Sequence, residues 1–148
     1  MVARPRRARL DSTACNAFVN STGRPAELVV TGSGLLADNE ATLQAFGLPE
    51  QSPRYALVST TFGVVLHPNG SQGQLSLQGS IGRLRDQIFV AGPDGRAEVG
   101  LDLTQLPQPN GAVSAVAGET WYAQAWFRDR VGGVATSNFT STAAVRFE

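Results

Sequence analysis

The sequence predicts an all-β protein, an antiparallel two-sheet β-sandwich with an Ig-like or jelly-roll-like arrangement of about eight to ten short strands. Three observations lead to this fold class. Sixteen glycines and eight prolines divide the 148 residues into short segments. Most of these segments alternate apolar and polar residues with a period of two, which is typical of strands rather than helices. Turn-forming stretches, such as residues 67–70 and 92–95, separate the segments.

Ten candidate strands follow one another along the chain. They are residues 26–31, 41–46, 54–60, 63–66, 74–77, 87–91, 97–103, 111–116, 120–128 and 140–147. The alternation is clearest in the C-terminal half, where Phe139 is expected to share a core face with Ala143, Val145 and Phe147. The one helical candidate is a short turn at residues 104–106, just before Pro107.

Charge divides the chain into an arm and a body. Four of the twelve basic residues, Arg4, Arg6, Arg7 and Arg9, precede the first candidate strand. We therefore predict a flexible basic N-terminal arm over residues 1–14 and a single β-sandwich domain over residues 15–148. Four arginines without interleaved aromatic residues are only a weak signal for nucleic acid.

The segment 120–128 has two faces of different character. The first face is apolar and is expected to join the core; it comprises Trp121, Ala123, Ala125 and Phe127. The second face is a candidate partner or ligand face; it comprises Tyr122, Gln124, Trp126 and Arg128. Its aromatic side chains suit either the stacking of a sugar or the packing of a partner subunit. Alternatively, loops or a neighbouring strand cover this face.

Residues for catalysis or metal binding are scarce. The chain has one histidine, His67, one cysteine, Cys15, and no lysine, so neither a zinc site with nitrogen and sulfur ligands nor a phosphate-binding loop with its lysine can be assembled. Asp38, Glu40 and Asp94 provide too few converging oxygens for calcium. We therefore expect no catalytic residues, no metal and no cofactor.

Two smaller features concern covalent chemistry. Cys15 cannot form a disulfide within the chain, so it is either a free thiol or a candidate for pairing between chains. Asn20, Asn69 and Asn138 each open an Asn-x-Ser/Thr triplet, a pattern that also arises by chance in polar loops.

Short stretches spread from Cys15 to Phe147 resemble a C-terminal module of many large secreted or surface proteins of planctomycetes and similar bacteria. They are Cys15, 20–23, 42–43, 47–49, 68–73, 79–83, 101–103, 106–107, 118–121, 124–129 and 136–140. The resemblance implies an extracellular β-sandwich-like module without established activity. Relatives usually have a second cysteine where this chain has Ser76, so the resemblance also implies that their usual disulfide is missing here.

These observations favour a non-catalytic structural module at the cell surface or outside the cell, which packs against copies of itself or a larger surface protein. An edge strand or the N-terminal arm could add to a neighbour's sheet. A carbohydrate-binding module that uses the aromatic strand face is the alternative, and nucleic acid is not an expected partner. No apolar run is long enough to predict a membrane span, and the polar residues after Arg9 do not form the apolar part of a signal peptide.

Overall fold

The structure is a computed structural model that describes residues 8–84, 89–90 and 92–148. It confirms the all-β class, with antiparallel sheets that pack against each other as in a sandwich. The described residues form thirteen strands and two 3-10 turns, Leu36–Asp38 and Pro68–Gly70. No helix within these residues is long and apolar enough to cross a membrane.

The strands form three layers. The front sheet contains, in spatial order, β1 (Ala8–Arg9), β3 (Glu27–Gly32), β4 (Ala41–Phe46) and β10 (Ala97–Leu101). The back sheet contains β2 (Ser12–Cys15), β13 (Thr142–Arg146), β11 (Thr120–Val131), β5 (Pro53–Ser59) and β8 (Gly82–Arg83), with β12 (Val134–Phe139) beside β11 and β9 (Phe89–Val90) beside β5. A hairpin of β6 (Thr61–Leu66) and β7 (Gln74–Gln78) is the third layer.

The main core lies between the front and back sheets. Alternation places every second side chain of a strand on this side. The predicted inner face of β11 is buried here; its members are Trp121, Ala123, Ala125 and Phe127. Leu28 and Val30 of β3 and Leu43 of β4 meet this face from the front sheet, each at most 2% exposed. Burial of these apolar side chains is the main favourable contribution to folding.

A second, smaller apolar cluster holds the hairpin on the outer face of the back sheet. Leu57, Leu77 and Phe139 are its buried members, and five partly buried side chains pack around them: Tyr55, Leu75, Ile81, Tyr122 and Trp126. Phe139 was expected in the main core with Ala143, and that prediction is wrong. Strands β12 and β13 both pair with β11, but the register shifts by one residue between Phe139, which is opposite Trp126, and Ala143, which is opposite Ala123. Phe139 therefore faces the opposite side of the sheet from the inward residues of β13.

Residues 8–9 and 12–14, which belong to the predicted flexible arm, pair with the two sheets. Residues 8–9 extend the edge of the front sheet, and residues 12–15 extend the edge of the back sheet. Arg9 forms an ion pair with Asp11 at 3.1 Å, and the hydrogen bond to this carboxylate raises the pKa of Arg9. Asp11 also accepts a hydrogen bond from the backbone N–H of Val30 at 2.9 Å. Arg4, Arg6 and Arg7 lie outside the described residues.

Two further predictions fail between β10 and β11. Residues 111–116 do not form a strand; Val113 makes only an isolated bridge to Leu106. Residues 104–106 do not form a helical turn, although the N–H of Gln105 donates to the carbonyl of Asp102 at 3.1 Å. Prolines and glycines interrupt this segment too often for a ladder to form. In the predicted strand 87–91, residues 89–90 are β9 and the others lie outside the described residues.

Candidate functional site

An open groove lies on the outer face of the back sheet, where the hairpin leaves part of the sheet uncovered. We call it the outer groove; its volume is about 510 Å³. Its floor is apolar and consists of Tyr55, Leu57, Leu75, Trp126 and Phe139. Its walls and rim consist of residues 68–70, Arg83, Arg128 and residues 135–137. Five strands and the hairpin loop thus contribute to this one groove.

A stacked aromatic pair dominates the floor. Tyr55 of β5 and Trp126 of β11 are direct partners in the register of the two strands, so their side chains emerge next to each other on the same face. Their ring centroids lie 4.8 Å apart with an interplanar angle of 17°. Both side chains are half-buried, so part of each is in contact with solvent. The pair therefore combines a rigid apolar surface with access from solvent.

An arginine lies against each ring of the pair. The guanidinium carbon of Arg83 lies 4.1 Å from the Tyr55 centroid, and that of Arg128 lies 5.6 Å from the Trp126 centroid. Both distances fall in the range of cation–π attraction. Both arginines are exposed, and within the described part of the chain neither forms an ion pair. Among the described residues, none that lines the groove is acidic. The described lining therefore carries a positive charge.

One wall of the groove is fixed by hydrogen bonds to β12. The Ser71 hydroxyl donates to the carbonyl of Ser137 at 3.0 Å, and the N–H of Gln72 donates to the same carbonyl at 2.8 Å. The loop that precedes these residues contains Asn69, which is exposed and has a φ of 52°. Thr136, next to Ser137 in β12, also lines the groove. These hydrogen bonds hold the loop against β12.

The hairpin divides the predicted ligand face of β11 into two halves. Gln124 is only 1% exposed and Tyr122 is half-buried beneath the hairpin, with its ring centroid 5.7 Å from that of Phe62. Trp126 and Arg128 lie in the outer groove. A neighbouring strand therefore covers one half of this face, and the four residues do not form one continuous shelf.

Gln124 ties the hairpin to the back sheet. Its side-chain carbonyl accepts the N–H of Ser76 at 2.9 Å, and its amide nitrogen donates to the carbonyls of Gln74 and Thr140, each at 2.9 Å. All three partners are backbone groups, two of them on β7. The side chain is fully used in these contacts and is not available to a ligand.

Sequence reasoning missed Tyr55 and Arg83. They lie in different strands from Trp126, and only the register of β5 with β11 and with β8 brings the three together. The pattern Arg54-Tyr55-Ala56 does place Tyr55 on the opposite face from Arg54, which is buried in the interior. Burial lowers the pKa of Arg54 to about 10. The one available signal in the sequence was thus an aromatic residue, Tyr55, between two residues of the opposite face, which places its ring on the outer face of the sheet.

Cys15 is a half-buried free thiol next to the hairpin. The side-chain amide of Gln74 lies 3.0 Å from its sulfur and donates to it. Ser76, two residues further along β7 and on the same face, is fully buried, and its hydroxyl has no hydrogen-bond partner within the described residues. Strand β7 thus lies beside Cys15. Ser76, where the resemblance implies a second cysteine in relatives, has no thiol with which Cys15 could pair.

The remaining polar candidates have structural contacts. Nδ1 of His67 lies 3.1 Å from the carbonyl of Ser71, and its ring stacks on that of Phe18 at 5.8 Å. Asn20 and Asn138 are at most 5% exposed and bind backbone groups, whereas Asn69 is exposed. In the described ranges no three His, Cys, Asp or Glu side chains cluster as metal ligands would.

Comparisons with known proteins were made at three levels. The sequence matches no family model, and no match was found among curated proteins or among solved structures. The resemblance to a surface-protein module therefore stays an expectation drawn from the sequence.

Proposed function

We propose that this chain is a non-catalytic structural module that self-assembles through strand β6. The observation that carries the proposal is the exposure of four large apolar side chains on this one strand. Phe62, Val64, Val65 and Leu66 are 40%, 45%, 42% and 62% exposed. Contiguous apolar surface of this kind is typical of sites that contact another protein.

The backbone of β6 supports the same proposal. Within the described residues β6 pairs only with β7, so its other edge carries unpaired N–H and C=O groups. Proteins usually protect such an edge with charged residues or proline. Thr61–Leu66 contains neither. A second chain can therefore add a strand here, gaining main-chain hydrogen bonds and apolar contacts together.

The charge of the chain favours copies of itself as the partner. Its formal net charge is zero, so long-range repulsion between copies is weak. An exposed apolar edge on an uncharged molecule tends to associate with the same edge of a second molecule, which produces a symmetric contact. We accordingly take a second copy as the first partner and a larger surface protein as the alternative. The extracellular or cell-surface location belongs to the proposal and derives from the sequence resemblance alone.

The test is the assembly state of the purified full-length chain, measured by light scattering and negative-stain electron microscopy. We expect a mass well above the 15.6 kDa of one chain. Leu66→Lys places a charge on the free edge and is expected to shift the protein towards the monomer. Val116→Lys is the matched control, because Val116 is 59% exposed but lies in a loop away from the hairpin. A wild-type monomer at high concentration would refute the proposal, as would equal assembly of all three proteins.

A further inference from the structure

We propose that the outer groove binds an acidic carbohydrate, that is, a sugar chain with carboxylate or sulfate groups. This proposal is independent of assembly through β6, because the groove lies on the back sheet and β6 contributes none of its lining residues. Three properties of the groove lead to it: its charge, its amphipathic lining and the absence of a free strand edge in its floor.

The charge of the groove selects an anion. Arg83 and Arg128 approach the Tyr55–Trp126 pair, and in the part of the chain that the structure describes no acidic residue lines the groove with them. A guanidinium group that lies against an aromatic ring keeps its N–H donors at its edge, where they can bind a carboxylate or a sulfate in a bidentate manner. The ring also fixes the orientation of the arginine, which lowers the entropy lost when the anion binds.

A neighbouring depression contains acidic residues, but these do not neutralise the groove. Arg128 lines this depression too, together with Glu50 and Asp129. The Asp129 side chain is nearly fully buried, and its carboxylate accepts the backbone N–H groups of Ser21 at 2.9 Å and Arg130 at 2.8 Å. Glu50 is exposed and forms no ion pair within the described residues. Arg128 therefore remains available to an anion in the outer groove.

The lining suits an amphipathic ligand. Each ring of the Tyr55–Trp126 pair has the other ring against it and an arginine over it, so these half-buried rings offer mainly their edges as apolar surface. Asn69 and Thr136 add an amide and a hydroxyl to the lining. A sugar ring has apolar C–H surface and hydroxyl groups that both donate and accept hydrogen bonds, so it can use both parts of the lining. A small inorganic anion would leave the aromatic floor unused.

The floor of the groove does not suit an acidic peptide. A peptide that binds by strand addition needs an unpaired strand edge. At Trp126, β11 is paired on both sides, with Tyr55 of β5 and with Phe139 of β12. No main-chain groups of β11 are therefore free at this position. Recognition has to come from side chains, as it does for a carbohydrate.

The experiment measures binding to the full-length protein by isothermal titration calorimetry. Four probes of matched length separate the sources of charge: tetragalacturonate, sulfated maltotetraose, neutral maltotetraose and tetraglutamate. We expect binding of at least one of the two acidic sugars, weaker at high salt, and at least tenfold weaker binding of the neutral sugar and the peptide. Preference for the carboxylated or the sulfated sugar then identifies the anionic group.

Variants locate the binding site. Arg83→Gln and Arg128→Gln are expected to weaken binding of the preferred acidic sugar at least tenfold each. Arg24→Gln removes the same charge from an exposed residue outside the groove and should leave affinity within twofold of wild type. Ala135→Trp adds bulk at an exposed position on the rim and should block binding without disturbing the core.

Three results would overturn the proposal. The first is that neither acidic sugar binds. The second is that tetraglutamate binds as tightly as the better acidic sugar, because the site would then recognise charge alone. The third is that Arg83→Gln, Arg128→Gln and Ala135→Trp all bind as the wild type does, which would place the sugar elsewhere on the molecule.

Discussion

At the scale of single residues, Gln124 distinguishes a side chain that binds a ligand from one that holds the fold. The sequence places it between Tyr122 and Trp126 on the candidate partner or ligand face. In the structure its amide bonds to three backbone groups and is almost completely buried. Sequence alternation correctly places it on the outer face of β11. The hairpin that folds over this face buries the side chain and gives it a structural role instead of a ligand-binding one.

The first prediction concerns this buried amide. Gln124→Ala leaves the N–H of Ser76 and the carbonyls of Gln74 and Thr140 without their partner, and an unsatisfied buried polar group costs about 1–3 kcal/mol. We expect the free energy of unfolding to fall by about 2–4 kcal/mol in denaturant titrations. Gln105→Ala, at an exposed position, is the control and should change it by less than about 0.5 kcal/mol. Equal values for the two variants would contradict the role assigned to Gln124.

Asp102 is a second residue whose contacts can be tested, in this case through pH. Its carboxylate accepts hydrogen bonds from the hydroxyl and N–H of Thr104 and from the side chain of Asn39, at 2.6, 3.0 and 3.1 Å. The Thr104 hydroxyl makes the largest contribution to lowering the pKa of Asp102 from its ordinary value of 3.8. The stabilisation is therefore present above about pH 4 and is lost as the pH falls through the lowered pKa.

The second prediction follows from the lowered pKa of Asp102. The free energy of unfolding of the wild type should decrease more steeply than that of Asp102→Asn between about pH 5 and pH 2, the range in which carboxylates titrate. The variant has no carboxylate to protonate at this position. The measurement is chemical unfolding at a series of pH values. Parallel curves for the two proteins would show that these hydrogen bonds do not depend on the charge of Asp102.

At the scale of strands, the sequence predicts best where alternation is long. Strand β4 has the predicted bounds, Ala41–Phe46. Strand β5, Pro53–Ser59, begins and ends one residue before the predicted strand 54–60. Strand β12 was missed, although Gly132-Gly133 between two valines is a typical signal for a two-residue hairpin turn, and both glycines have positive φ values, 58° and 78°. The signal for this strand was in the turn rather than in the alternation.

Other elements could not have been predicted from the sequence. Strands β1 and β8 are two residues long, too short for any periodicity to be recognised. They form because an edge of an existing sheet is available to pair with them. The outer groove depends in the same way on register, since Tyr55 and Trp126 are 71 positions apart and become neighbours only when β5 pairs with β11. Local pattern does not determine such long-range pairing.

The third prediction concerns Gly82 in β8. A Cβ atom at this position would lie 1.7 Å from the carbonyl oxygen of Pro107, so an alanine cannot fit without movement of the backbone. We expect Gly82→Ala to lower the free energy of unfolding by about 1–3 kcal/mol. Gly100→Ala in β10 is the matched control, because nothing lies within 4 Å of its added Cβ. If thermal unfolding of the two variants coincides, the close approach of β8 to Pro107 is not important for stability.

At the scale of the whole molecule, β11 couples the three layers. Its inner face carries Trp121 into the main core, and its outer face carries Tyr122 against the second cluster beneath the hairpin. The N-terminal segment adds a further link, since Ala8–Arg9 pairs with the front sheet and Ser12–Cys15 with the back sheet. A loss of order in one layer therefore removes packing partners from the next.

The fourth prediction is that the molecule unfolds in one cooperative step. The chain contains two tryptophans, so Trp121→Phe leaves Trp126 as the only fluorescent tryptophan, and Trp126→Phe leaves Trp121. Within each variant, the tryptophan fluorescence and far-ultraviolet circular dichroism transitions should coincide, as they do for a two-state domain. Loss of Trp126 fluorescence at lower denaturant than loss of secondary structure in Trp121→Phe would indicate that the hairpin detaches first.

The burial of two asparagines has a consequence for the order of folding and modification. Asn20 and Asn138 open acceptor triplets for N-linked glycans, yet both are enclosed by the fold, whereas Asn69 is exposed on the hairpin loop. In a eukaryotic secretory host the first two can be glycosylated only before the sheets close over them. A product with a single glycan, at Asn69, would indicate that the chain folded before it was glycosylated. A further glycan at Asn20 or Asn138 would indicate that the chain was glycosylated before it folded. The glycan at Asn69 would also stand at the wall of the outer groove and obstruct it.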